Sequence, residues 1–141
     1  MKTMLAQIHA ARMIALDWHY SAKGDSFYGQ HLLAEKVAEG FPTDDLTETY
    51  YLGEKLKTPP RQADIMAEAV QIVSANGEKS CPVALQDILK LAAAHAEELA
   101  RGNLSLGVKS LLDEVSQKCY QSIGLIERLV LKCPTPPLSL E

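Results

Sequence analysis

The sequence predicts an all-α chain folded as a four-helix bundle, and three observations carry that expectation. Apolar residues recur at three- and four-residue steps through four long segments. No stretch shows the strict alternation of a half-buried strand. Glycine and proline fall at the joints between the periodic segments.

The first helix is expected over about residues 3 to 22, with Leu5, Ile8, Ala15 and His19 on one face, and Gly24 is its natural stop. Asp25 or Ser26 caps a second helix that runs to about Glu39. Gly40-Phe41-Pro42 interrupts the chain, and a third piece restarts at Thr43-Asp44 and ends near Lys57, before Pro59-Pro60. A shorter helix over about 61 to 75 buries Ile65, Ala69, Ile72 and Val73, and stops at Asn76-Gly77. Pro82 opens a helix to about Arg101, with Leu85, Ile88, Leu89, Ala92, Ala96 and Leu99 in register. After the Gly102-Asn103 turn, the last helix spans about 105 to 131 and aligns Val108, Leu111, Leu112, Val115, Cys119, Ile126 and Leu129. The 61–75 segment then occupies the long connection between the second and third helices of the bundle. Residues 1–132 form one domain, and the proline-rich segment 133–141 cannot continue the last helix.

Composition narrows the function. Eighteen acidic residues against fourteen basic ones give a net charge of −4. The first twenty residues hold only Lys2 and Arg12, and the C-terminal tail only Lys132, which argues against an electrostatic hold on DNA. No apolar run reaches the roughly 20 residues that span a bilayer, and no signal-peptide pattern opens the chain. The three cysteines, Cys81, Cys119 and Cys133, are widely spaced with no CxxC pair. A zinc-thiolate site is therefore not expected, and a cytoplasmic protein with reduced thiols is.

The residues able to bind a redox metal cluster early. His19, His31 and Glu35 fall within seventeen positions, split by Lys23-Gly24-Asp25-Ser26. His31 and Glu35 are i and i+4, so they share a helix face, with His19 on the preceding helix. Imidazole with carboxylate suits iron, manganese or zinc. Asp44 and Glu48 are again four apart, yet His31 and Asp44 are thirteen residues apart, about 20 Å if helical. One chain cannot easily unite the two groups; two subunits related by a two-fold axis would make two equivalent sites. Asp44, Asp45 and Glu48 equally suit the acidic first turn of a helix. Taken singly, either histidine reads as a hydrogen-bonded core residue. The Glu-x-x-His motif of di-iron bundles is absent, because Ala6, Leu16, Tyr28 and Ala92 precede the four histidines by three. His95 lies on an apolar stripe and reads as structural.

Over residues 17–35 the chain resembles the Dps mini-ferritins. The family pattern is a histidine, a glycine five residues on, an aromatic at eight, a second histidine at twelve and a carboxylate at sixteen. Here these are His19, Gly24, Phe27, His31 and Glu35. Beyond residue 35 the resemblance rests on helix order and length. Two features depart from the pattern. Trp18 precedes the first histidine, where the family has a tryptophan after it. Leu46 and Tyr50 stand at offsets 27 and 31, where the family has aspartate and glutamate. Asp44 and Glu48 keep that four-residue spacing two positions earlier.

The resemblance implies a ferritin-like bundle that binds Fe(II) between subunits and oxidises it with peroxide or oxygen. It implies His19, His31 and Glu35 from one subunit and Asp44 and Glu48 from its neighbour. It also implies a homo-oligomer, at least a dimer and up to a dodecameric shell, that stores iron and protects against oxidative stress. Two alternatives stand beside it: a metal-free helical interaction protein, favoured by Leu46 and Tyr50, and a ferritin-like subunit with a structural zinc.

Overall fold

The computed structural model describes residues 1–24, 27–55 and 58–129. Over these residues the chain is all-helical. The helices are α1 (Lys2–Ser21), α2 (Phe27–Ala38), α3 (Thr43–Thr47), α4 (Gln62–Ala75), α5 (Cys81–Ala100) and α6 (Leu106–Leu129). A π-helical segment, Glu48–Glu54, follows α3 without a break. The expected capping of α2 by Asp25 or Ser26, the end of the third piece at Lys57, the last residues of the final helix and the tail at 133–141 lie outside the described residues.

The packing follows the apolar stripes, with one departure. α5 and α6 form the most extensive pair; α5 buries Leu85, Ile88, Leu89, Ala92 and Ala96 between α6 and α1, and α6 buries Val108, Leu112, Val115, Cys119 and Ile126. Leu99 and Leu111 are only half-buried, and Leu129, expected inside, is 49% exposed. α1 packs against α2, α4 and α5, and α2 closes onto α6. α1 is therefore covered on several sides rather than along one stripe. Met4, Leu5, Ala6, Gln7 and Ile8 are buried in succession, as are Ala10 and Ala11. Alanines at these positions let neighbouring backbones approach closely. α4 contributes Ile65 and Ala69 to the core, while Ile72 and Val73 are only partly covered.

One buried polar pair crosslinks the layers. His95 Nδ1–H on α5 donates to Gln7 Oε1 on α1 at 2.7 Å. This satisfies an amide that is almost fully buried.

The third piece departs most from expectation. A single α-helix over 43–57 would continue α3, but after Thr47 the turns widen and Lys55 N–H reaches back five residues to Tyr50 O at 2.8 Å. Glu54, at the end of this segment, accepts from the backbone N–H of Ser105. Ser105 in turn caps α6 through Val108 N–H to its Oγ, 3.2 Å. The α2–α3 corner turns at Gly40, whose φ of +86° is left-handed. Lys118 from α6 seals it: its Nζ donates to Lys36 O at 3.1 Å and lies 5.2 Å from the Phe41 ring centre. No helix among the described residues is long and apolar enough to cross a membrane.

Cys119 sits fully buried on the core face of α6, and desolvation pushes its thiol from 9.0 up to about 12. The folded pKa is raised above the unfolded one. The unfolded chain therefore releases this proton first, and stability falls as pH rises from about 9 toward 12. Urea titrations across that range should show a shallower alkaline loss in Cys119→Ala than in the wild type. An unchanged slope would show that Cys119 ionises as readily in the folded chain.

Candidate metal centre

The end of α1 and the start of α2 face each other across residues 22–26. Trp18 is buried there, and its Nε1–H donates to Gln30 Oε1 at 3.0 Å, locking the two helices together. The next residue on each helix is a histidine. The rings of His19 and His31 stack with centroids 3.8 Å apart and planes 24° from parallel.

Each ring is fixed by the other's backbone. His19 Nδ1 lies 3.2 Å from His31 O, and His31 Nδ1 lies 2.9 Å from His19 O. A carbonyl oxygen can only accept, so each Nδ1 carries the proton. In the neutral rings, each Nε2 therefore carries the lone pair that a metal ion uses. His19 is in the last turn of α1, where carbonyls lack helical partners, so the bond from His31 also caps that helix. Tyr20 packs edge-on to His19 at 5.1 Å, and Phe27 lies against His31 at 5.2 Å.

The structure brings His19 and His31 together and leaves the other expected ligands apart from them. Glu35 is exposed one turn beyond His31. No three His, Cys, Asp or Glu side chains gather into a metal-holding group among the described residues. Asp44 and Glu48 are also exposed. Asp44 acts on His9, whose place on α1 is ten residues, about 15 Å, before His19. Leu46 is wholly buried in the core, and Tyr50 is half-buried with its ring edge-on to Tyr51 at 4.9 Å.

The donor chemistry fits a borderline divalent ion, with two imidazoles of fixed tautomer and a carboxylate on the same helix. Stacked rings present Nε2 atoms in nearly parallel planes, so one ion held by both requires the rings to splay. Gln30 and the two backbone carbonyls are the parts that side-chain spacing did not reveal. Gln30, next to His31, was visible as a neighbouring amide; the carbonyls left no trace in the sequence.

Comparison with family models, curated proteins and solved structures returns no match for this chain.

Proposed function

We propose that this chain is a ferritin-like four-helix subunit of the Dps type that binds Fe(II) as its substrate and oxidises it, for iron storage and protection from oxidative stress in the cytoplasm. The observation that carries this reading is the reciprocal His19–His31 pair, with both Nδ1 atoms occupied, which leaves the lone pair of each neutral ring on Nε2. The packing order supports the bundle: α1 on α2, α2 on α6, α6 on α5 and α5 on α1, with α4 as the extra helix against α1.

In this mechanism His19 and His31 hold the ion and Glu35 helps offset its charge as it is oxidised. Two Fe(II), one from each of the two equivalent sites, give one electron apiece to a peroxide, which takes up two protons and leaves as two waters, or to oxygen, which takes up two protons and leaves as peroxide. Zinc or manganese suits the same donors. Asp44 and Glu48 of a neighbouring subunit complete the coordination, so the working unit is at least a dimer and can be a dodecameric shell. Their exposure in the single chain supports a role at a contact between copies.

The test is metal titration with light scattering. The wild type should bind about one Fe(II) or Zn(II) per chain at about 1 μM or tighter, and should accelerate Fe(II) oxidation over buffer. Glu48→Ala should weaken binding as much as His31→Ala does. Asp45→Ala should do less, since Asp45 is turned about 100° from Asp44 around α3. Full affinity in Glu48→Ala, or in a monomer, overturns the shared site. No saturable binding of either metal by the wild type overturns the function.

A second reading has its own observation. The same two hydrogen bonds clasp the α1–α2 corner, which is what a metal-free interaction protein would keep them for. Binding of Zn(II) without Fe(II) oxidation would instead identify a structural zinc site.

On this reading the assembly does not hold DNA. Non-specific affinity scales with the phosphates that lysine and arginine neutralise, so an acidic chain should give no gel shift of duplex DNA at about 150 mM salt without divalent metal. A robust shift would show that assembly creates a basic surface.

A further inference from the structure

A cleft of about 340 Å³ opens between the middle of α1 and the α2–α3 corner, toward the end of α2 that lies away from the histidine pair. Its two walls carry opposite charge. The α1 wall presents Arg12 and His9; the facing wall is the C-terminal end of α2 with Glu39 and Gly40. Phe41, half-buried, supplies apolar surface between them, and the buried Ile8 closes the floor. Among the described residues neither Arg12 nor Glu39 makes an ion pair. Each therefore keeps its hydrogen-bonding capacity for a guest. His9 is half-buried, and desolvation and the Arg12 charge hold its pKa below the ordinary value, against the opposing pull of Asp44. A neutral His9 adds a hydrogen-bonding group to the α1 wall without a second full cation.

We infer that this cleft binds a small aliphatic α-amino acid as its zwitterion. A guanidinium is the matched partner of a carboxylate, so Arg12 takes the ligand's carboxylate. The C-terminal end of α2 is the negative end of its dipole, and Glu39 adds a full charge there, so the ammonium lies on that side. Phe41 takes the aliphatic side chain. A doubly charged anion such as phosphate gains from Arg12 but meets Glu39 and the α2 carbonyls. A bare cation gains from Glu39 but meets Arg12. Lys118, which stands near Glu39 and lowers the net charge of that wall, is committed to Lys36 O and the Phe41 ring and does not compete for the ligand. The volume falls at the small end of ligand pockets, roughly 300–1,000 Å³, and suits a metabolite of this size.

The experiment is calorimetric and NMR titration of the full chain with L-leucine, N-acetyl-L-leucine and L-leucinamide. The three share a side chain and differ in charge. L-leucine should bind with a Kd of about 1 mM or tighter, shifting the His9 resonances. Each derivative, having lost one charge, should bind at least roughly tenfold more weakly. Arg12→Gln and Glu39→Gln, both at exposed positions, should each cost L-leucine a similar factor with circular dichroism unchanged. Absence of saturable L-leucine binding overturns the assignment. So does equal binding of either derivative, or full affinity in either variant. None of these readouts depends on metal.

Discussion

Leu46→Asp is expected to unfold the chain or leave it barely folded. The substitution installs an aspartate where the Dps pattern has one, yet Leu46 is 0% exposed and belongs to the main core. An unpaired carboxylate there either stays protonated, at a cost, or opens the core to water. The expected loss is several kcal/mol, against the roughly 5–15 kcal/mol that holds a domain together. Leu46→Ala isolates the packing part, with an expected cost of about 2–5 kcal/mol for the lost side chain and the cavity. Urea denaturation followed by circular dichroism measures both. Wild-type stability in Leu46→Asp would mean that this position meets water or another subunit. It would then be the family's ligand position after all.

The second large effect is on metal. The double variant His19→Ala, His31→Ala should lose Fe(II) and Zn(II) binding entirely while remaining helical. Its thermal stability should also drop, because it loses two hydrogen bonds, each worth about 1 kcal/mol net, and the stacked rings between α1 and α2. The two readouts separate the readings proposed above. Loss of stability with no metal binding in either protein identifies a purely structural clasp. Elemental analysis showing equal metal in wild type and variant would remove the histidines from the site.

The long amphipathic helices were legible because their burial has a single cause. In α5 and α6 the buried residues keep to one stripe, so Leu85, Ile88, Val108 and Leu112 announced themselves by spacing. α1 was legible as a helix but not in its surroundings. Ala6, Ala10 and Gln7 look indifferent in sequence, yet are buried because α1 packs on α2, α4 and α5 at once, with Gln7 held against His95 of α5. The widened turns after Thr47 had no sequence signal, since Glu-Thr-Tyr-Tyr-Leu-Gly-Glu reads equally well as α-helix. That misreading matters for the site. Four-residue spacing puts two side chains on one face only where the helix is regular, and Glu48 is where α3 gives way to the π segment. The His19–His31 meeting was legible from their separation across a short turn, whereas the tautomer depends on backbone carbonyls that spacing does not encode.

The reciprocal hydrogen bonds at the α1–α2 corner have a kinetic consequence. Each ring is fixed only when the other residue's backbone is already in place, so the pair forms or dissolves as one unit when the twelve-residue span between them closes or opens. A half-frayed corner offers no half-site. On the metal-binding proposal, an ion held by both Nε2 atoms of the splayed rings would tie α1 to α2 and oppose opening of the corner. Amide hydrogen exchange around residues 18–22 and 30–34 should slow in step with occupancy, while exchange in α5 and α6 stays where it was. On the same metal-binding proposal, local breathing of this one corner would set how quickly an ion enters and leaves.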